Sequence, residues 1–312
     1  MKKVLFILIY IFLIQTEWDI VAQQDSQYTQ YALNTMVVNP AFTGARGVPS
    51  ISVLHRSQWI GLDGAPNTQT LSFSSPISRR VGLGLSVVND EIGNGTSQET
   101  YFDGTFSYTI EISELGRLAL GLKAGGHFLN LDFSKLINYG VEPNLVNVDN
   151  KFSPNFGIGA HYYTDRFYAG VSLPNILETE HFDGAGQSSS FIASERMNFY
   201  VISGYRFDIN PNLKLNSGML VKMVSGAPIQ TDVSAGLVFN EKFSFGAAYR
   251  FDSAVSALFG LKLYDKLMVG LAYDVETTTL GNTTFNDGSF EVFLRFDFMN
   301  RFNRREVSNR FF

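Results

Sequence analysis

The chain has 312 residues, a formal net charge of −5, no cysteine, 28 glycines, 14% aromatic and 17% charged residues. The lack of cysteine excludes disulfides, thiolate metal sites, cysteine nucleophiles and an N-terminal lipidated cysteine. The charge content is below the roughly 25% of a soluble domain, a mean hydropathy of +0.02 argues against a helical membrane protein, and the mild acidic balance offers no basic footprint for nucleic acid.

Residues 1–22 read as a secretory signal peptide. Lys2 and Lys3 form the basic start, and Val4 to Ile14 is an apolar run too short to span a bilayer as a helix. Ile20-Val21-Ala22 offers a cleavage site before Gln23. Removing this stretch takes away two lysines (Lys2, Lys3) and two acids (Glu17, Asp19), so the net charge stays at −5. Residues 23–49 are polar and aromatic without a clear period. They are expected to form an N-terminal periplasmic or plug segment.

From about Ser50 the period is 2 almost everywhere. Strands are expected near 50–59, 68–75, 81–89, 99–112, 116–130, 153–164, 166–173, 195–208, 213–224, 229–239, 243–252, 254–263, 267–276 and 288–299. The fold class is therefore all-β: a transmembrane antiparallel barrel of about 14 strands over residues 50–299. Most segments are near the length that crosses a bilayer when tilted. Connections alternate. Ser113–Glu114, Thr164–Asp165, Asn210–Asn212, Glu241–Lys242 and Asp265–Lys266 mark tight turns, whereas Asp90–Gln98, Asp132–Phe152, Pro174–Ser194 and Thr277–Asp287 are long and polar. With both termini periplasmic, each long connection falls outside. Two outer connections, Ser225–Pro228 and Asp252–Ser253, are short exceptions.

Parity sorts the faces. In 116–128, Leu118, Leu120, Leu122 and Phe128 oppose Arg117, Lys123 and His127. In the last strand, Phe290, Val292, Leu294, Phe296 and Phe298 oppose Ser289, Glu291, Phe293, Arg295 and Asp297. A basic residue facing lipid at the midplane costs about 2–4 kcal/mol, so this segregation fits a wall with lipid outside and water or polar groups inside. The expected lumen charges include Lys123, Lys222, Arg250, Asp252, Lys262, Asp274, Glu291 and Arg295. Arg250, Asp252, Lys262 and Asp274 are expected to pair across consecutive strands. Gly82 and Gly84 lie inside a strand, where small residues thin one barrel face. Trp59, Tyr101, Tyr108, Tyr162, Tyr163, Phe167, Tyr205 and Phe243 sit near strand ends and suit interfacial girdles.

No catalytic constellation emerges. His127 and His161 face inward and His181 lies in a long loop. His55 is two residues from Ser57, without an orienting third group. The protein is not expected to be an enzyme, and no metal or cofactor is expected. Residues 300–312 form a basic tail with Arg301, Arg304, Arg305 and Arg310.

Three segments are more specific: Gln27-Tyr28-Thr29-Gln30-Tyr31 with Asn39-Pro40-Ala41-Phe42-Thr43-Gly44; Arg56-Ser57-Gln58-Trp59-Ile60-Gly61-Leu62-Asp63-Gly64-Ala65-Pro66; and Gly82 to Asp90. Together they resemble the PorP/SprF family of type IX secretion system membrane proteins of Bacteroidetes. The resemblance is sharpest over residues 25–93. It implies a non-enzymatic outer-membrane accessory that helps export and anchor a large surface protein, such as a gliding adhesin, through that protein's C-terminal domain. The implied partners are outer-membrane lipid, the secretion machinery and the secreted protein. The motif residues carrying it are Gln27, Tyr28, Gln30, Tyr31, Asn39, Pro40, Gly44, Arg56, Gln58, Trp59, Gly61, Asp63, Gly64 and Pro66. Asn39-Pro40 favours a turn, and Gly44 is suited to positive φ. Loops 132–152 and 174–194 and the N-terminal arm are the expected contact surfaces. A diffusion porin is the alternative.

Overall fold

The computed structural model describes residues 27–135, 147–178, 196–264, 266–278 and 286–298. The expected signal peptide, most of the two longest loops with His181, and the basic tail lie outside the described residues.

Fourteen antiparallel strands close into a barrel. They are β1 (Ser50–Ser57), β2 (Asn67–Pro76), β3 (Val81–Ile92), β4 (Ser97–Glu111), β5 (Arg117–Leu131), β6 (Val148–Tyr163) and β7 (Phe167–Leu173), followed by β8 (Asn198–Asn210), β9 (Leu213–Val224), β10 (Gln230–Phe239), β11 (Phe243–Arg250), β12 (Ala254–Leu263), β13 (Leu267–Glu276) and β14 (Ser289–Asp297). Each strand pairs with its sequence neighbours, and β1 closes on β14 with Ser50 opposite Asp297 and Ser57 opposite Phe290. Closure leaves no unpaired edge, which a wall inside a bilayer requires.

The β1 start and the β14 end share one rim, here the closing rim. It carries the short connections 77–80, 112–116, 164–166, 211–212, 240–242 and 264–266. The opposite loop rim carries the long ones. One connection is shorter than its polarity suggested. The β3–β4 ladder continues through Asp90–Glu99, Glu91–Gln98 and Ile92–Ser97, leaving only residues 93–96 as a turn. Polar residues at a rim are free to stay in a ladder, because no bilayer penalises them there.

The outward face is apolar and open: Leu71, Leu85, Leu122, Phe156, Leu237 and Phe245 are all exposed. The inward face is polar and buried, with Arg56, Asp103, Lys123, Asp232, Asp274 and Glu291 among its members. Burial is thus inverted relative to a soluble protein. It exists because something fills the lumen. Among the expected girdle aromatics, Tyr108, Phe167, Tyr205 and Phe243 are exposed on the outward face, but Tyr163 is buried inward. Its parity matches His161, against which it stacks at 4.8 Å.

Candidate functional site

Residues 27–48 run through the barrel lumen. The segment has one short helical turn, α1 (Thr35–Val38), and a single 3-10 turn at Pro40–Phe42, where Asn39 caps the amide of Ala41 through Oδ1 at 2.9 Å. Tyr28, Tyr31, Val38, Ala41 and Phe42 form one cluster with wall residues Leu54, Tyr168, Ile202 and Phe293. An irregular backbone inside a barrel must find its hydrogen bonds on the wall, and it does so at three levels.

Near the loop rim, Glu291 is fully buried and accepts from the backbone amides of Thr29 and Gln30, both at 2.9 Å. Thr29 Oγ1 donates to Asp274 Oδ2 at 2.6 Å and accepts from Arg56 Nη1 at 2.6 Å. Arg56 Nη1 in turn lies 2.7 Å from Asp274 and 3.4 Å from Glu291. One cation sits between two carboxylates, with the segment's backbone and hydroxyl filling the remaining sites. Beside it, Arg250 grips Asp232 through Nε at 3.0 Å and donates to Gln27 Oε1 at 3.0 Å. The Tyr28 hydroxyl meets Thr70 Oγ1 at 3.3 Å. Burial raises the phenol pKa of both segment tyrosines, that of Tyr31 up to about 12.

At mid-height, Asn39 Nδ2 donates to two wall carbonyls, Ala160 and Val171, each at 3.2 Å. Ser172 Oγ donates to Val38 O at 2.8 Å. Phe42 stacks on His161 with centroids 3.7 Å apart. Close approach here needs wall glycines. A Cβ at Gly121 would lie 2.1 Å from Ala41 N, one at Gly159 2.0 Å from Asn39 Oδ1, and one at Gly84 2.5 Å from Met36 Sδ. Gly82, next to Thr43 O, belongs to the same track. Gly82 and Gly84 were expected only to thin the wall; with Gly121 and Gly159 they seat the segment.

At the closing rim, Ser107 Oγ donates to Thr43 O at 2.6 Å, and Gly44, at φ +69°, donates its amide to Ser74 Oγ at 2.8 Å. Arg46 forks onto Asp297 through Nε (3.0 Å) and Nη2 (2.7 Å). The segment therefore enters at β1 beside the closing rim and climbs to the loop rim.

The other motif residues lie apart from this segment, except Arg56. Gln58 N donates to Pro66 O at 3.0 Å, closing the β1–β2 loop. Trp59, at φ +46°, donates Nε1 to Glu276 at 2.6 Å. Ile60 exchanges backbone bonds with Gly288 and Asp287 on one side, while Gly64 O accepts from Gly93 N and Asp63 from Asn94 on the other. Gly61 takes φ +95° in this loop. The loop thus ties its neighbours together across the loop rim.

The lumen charges depart from expectation in their pairing. Arg250 pairs with Asp232 and Asp274 with Arg56. Asp252 is not a lumen residue: it sits exposed in the β11–β12 turn at φ +53°, where alternation has ended. Lys123 pairs with Asp103 at 3.2 Å and Lys222 lies over the Tyr200 ring at 5.8 Å. Lys262 and Arg295 lie lower, near the closing rim. Sequence reasoning missed Thr29, Arg46 and Asp297 as partners. The glycine track on one face was the signal that a second backbone approaches there. His55 Nε2 and Ser57 Oγ are 3.2 Å apart, and among the described residues no carboxylate is hydrogen-bonded to His55.

The family model described as type IX secretion system membrane protein PorP/SprF matches residues 20–296. The chain belongs to this family. It is a PorP/SprF barrel of the outer membrane, a component of the type IX secretion system. A search of curated proteins finds no match. Among solved structures, the Acinetobacter baumannii outer membrane protein Omp33 is similar at TM-score 0.48 and 10% identity, over 80% of this chain and 98% of that one. The CymD monoaromatic hydrocarbon channel is similar at TM-score 0.48 and 10% identity, over 86% and 93%. The NanC porin follows at TM-score 0.43 and 8% identity, over 80% and 100%.

Proposed function

We propose that this PorP/SprF protein is a closed, non-enzymatic accessory barrel that assists export and surface anchoring of one large surface protein, such as a gliding adhesin. The observation that supports this over a porin is the filled lumen. Residues 27–48 bond to the wall near both rims and at mid-height, which is the construction of an anchor rather than of a channel constriction. With the closing rim periplasmic, the loop rim faces outward. The tied β1–β2 loop and the loops 132–152 and 174–194 then form the platform for the secreted protein's C-terminal domain. The apolar outward face contacts outer-membrane lipid. Residues 1–22 serve as the signal peptide, and 50–299 as the membrane barrel.

Planar-bilayer recording discriminates the two readings. The purified protein is expected to insert without steady conductance. Persistent open channels in the unmodified protein would favour the porin.

A further inference from the structure

The charges on the lumen wall are divided along the barrel axis. The acids Asp232, Asp274 and Glu291 gather near the loop rim, where the internal segment and its arginines satisfy them. Near the closing rim cations outnumber acids. A small recess of about 20 Å³ there is lined by Arg206, Lys214, Lys242, Lys262 and Arg295, with Glu241 as its one acid. Lys214 is held by Glu241. Arg206 and Arg295 lie on β8 and β14, both facing inward. Each has a carboxylate 3.4 Å away, Asp208 and Asp297. Neither Nε makes a hydrogen bond, although both atoms are buried. Asp297 is already gripped by the Arg46 fork, and Asp208 also pairs with Arg166 at 3.0 Å.

Each Nε meets its carboxylate only at the long distance of 3.4 Å, so these pairs are loose, and the recess as a whole is lined by five cations against one acid. We propose that this cationic recess is a docking site for an acidic peptide segment of a partner protein that approaches the closing rim. Three observations select this occupant. Lipid headgroups meet the outer wall, whereas Arg206, Lys262 and Arg295 face the lumen. The recess has room for little more than a water molecule, so an anion is not enclosed; it lies across a rim whose cations are spread over several strands and the exposed β10–β11 turn at Lys242. Residues 299–312, with Arg301, Arg304, Arg305 and Arg310 against a single acid, Glu306, have the wrong charge for a cationic site. This mouth is opposite the platform invoked above, and the inference stands or falls without any secreted cargo.

The test is fluorescence anisotropy of a labelled hexaglutamate peptide with the full chain folded in detergent micelles. Binding is expected, and it weakens as salt rises. Arg206→Gln and Lys242→Glu are each expected to weaken it by about fivefold or more. Lys242 is in an exposed turn, so that variant stays informative should Arg206→Gln impair folding. Arg117→Gln, at the same rim on β5, and joint neutralisation of the four tail arginines are expected to leave binding unchanged. Absence of binding by the unmodified protein would overturn the proposal. Indifference to both Arg206→Gln and Lys242→Glu, or loss on neutralising the tail, would do the same.

Discussion

The side chain of Asn39 occupies the space that a Cβ at Gly159 would need, with Oδ1 2.0 Å from that position. The same amide bonds two wall carbonyls and caps the following 3-10 turn. A turn-forming Asn-Pro pair and a wall glycine 120 residues away are therefore two halves of one fitting.

The first prediction concerns that fit at Gly121, where Ala41 N leaves 2.1 Å. Gly121→Val is expected to displace the internal segment while the barrel still closes. The cysteine-free chain permits a clean probe: Thr43→Cys, 2% exposed as threonine, should resist thiol reagents alone and react when combined with Gly121→Val. Gly104→Ala, whose Cβ meets nothing nearer than 3.6 Å, should leave it protected. Equal labelling in all three backgrounds would show that the segment is not seated as described.

Removing Glu291 strips acceptors from two backbone amides and one of two carboxylates from Arg56. Breaking a buried pair on one side costs about 3–5 kcal/mol. Glu291→Ala should lower the temperature at which the folded form is lost on heat-modifiable electrophoresis, and should expose the segment to protease first. Glu291→Gln keeps one acceptor and is expected to fall between.

On the outer wall, Leu122 is 57% exposed in mid-strand, between Phe106 and Ile158. Leu122→Arg is expected to cost about 2–4 kcal/mol in refolding into lipid vesicles. The inward neighbour Lys123 already tolerates its charge through Asp103. A neutral outcome at Leu122 would contradict a lipid-facing wall.

The segment's tyrosines predict the alkaline behaviour. Their folded pKa values are raised above 10.0 by burial, that of Tyr31 to about 12. A raised pKa means the packing contribution is fully present below pH 10 and falls as pH rises through 10 toward 12. Phenolate absorbance should therefore show Tyr28 and Tyr31 among the tyrosines that titrate late in the folded protein. Tyr31→Phe should remove one of them, leaving stability at neutral pH nearly unaltered.

Parity made the wall legible because the outward face selects apolar side chains at each second position, as Leu118 to Leu122 and Val292 to Phe296 illustrate. It failed at Asp252, where paper alternation runs on through a turn that the backbone takes at φ +53°. The lumen pairs were less readable. Glu291 and Arg56 are 235 positions apart, and their meeting depends on barrel closure and on the β1–β14 register. The internal segment had no period to betray its path. Its trace was indirect: Gly82 and Gly84 on β3, Gly121 on β5 and Gly159 on β6, all on the inward face, where a β-sheet ordinarily places larger residues.

The most direct test of the account compares the surface and medium proteomes of cells with and without this gene. The account predicts that one large surface protein is lost from the cell surface while the rest stay in place. An unchanged surface, accompanied by slower uptake of a small solute, would contradict it and leave a diffusion pore as the better reading.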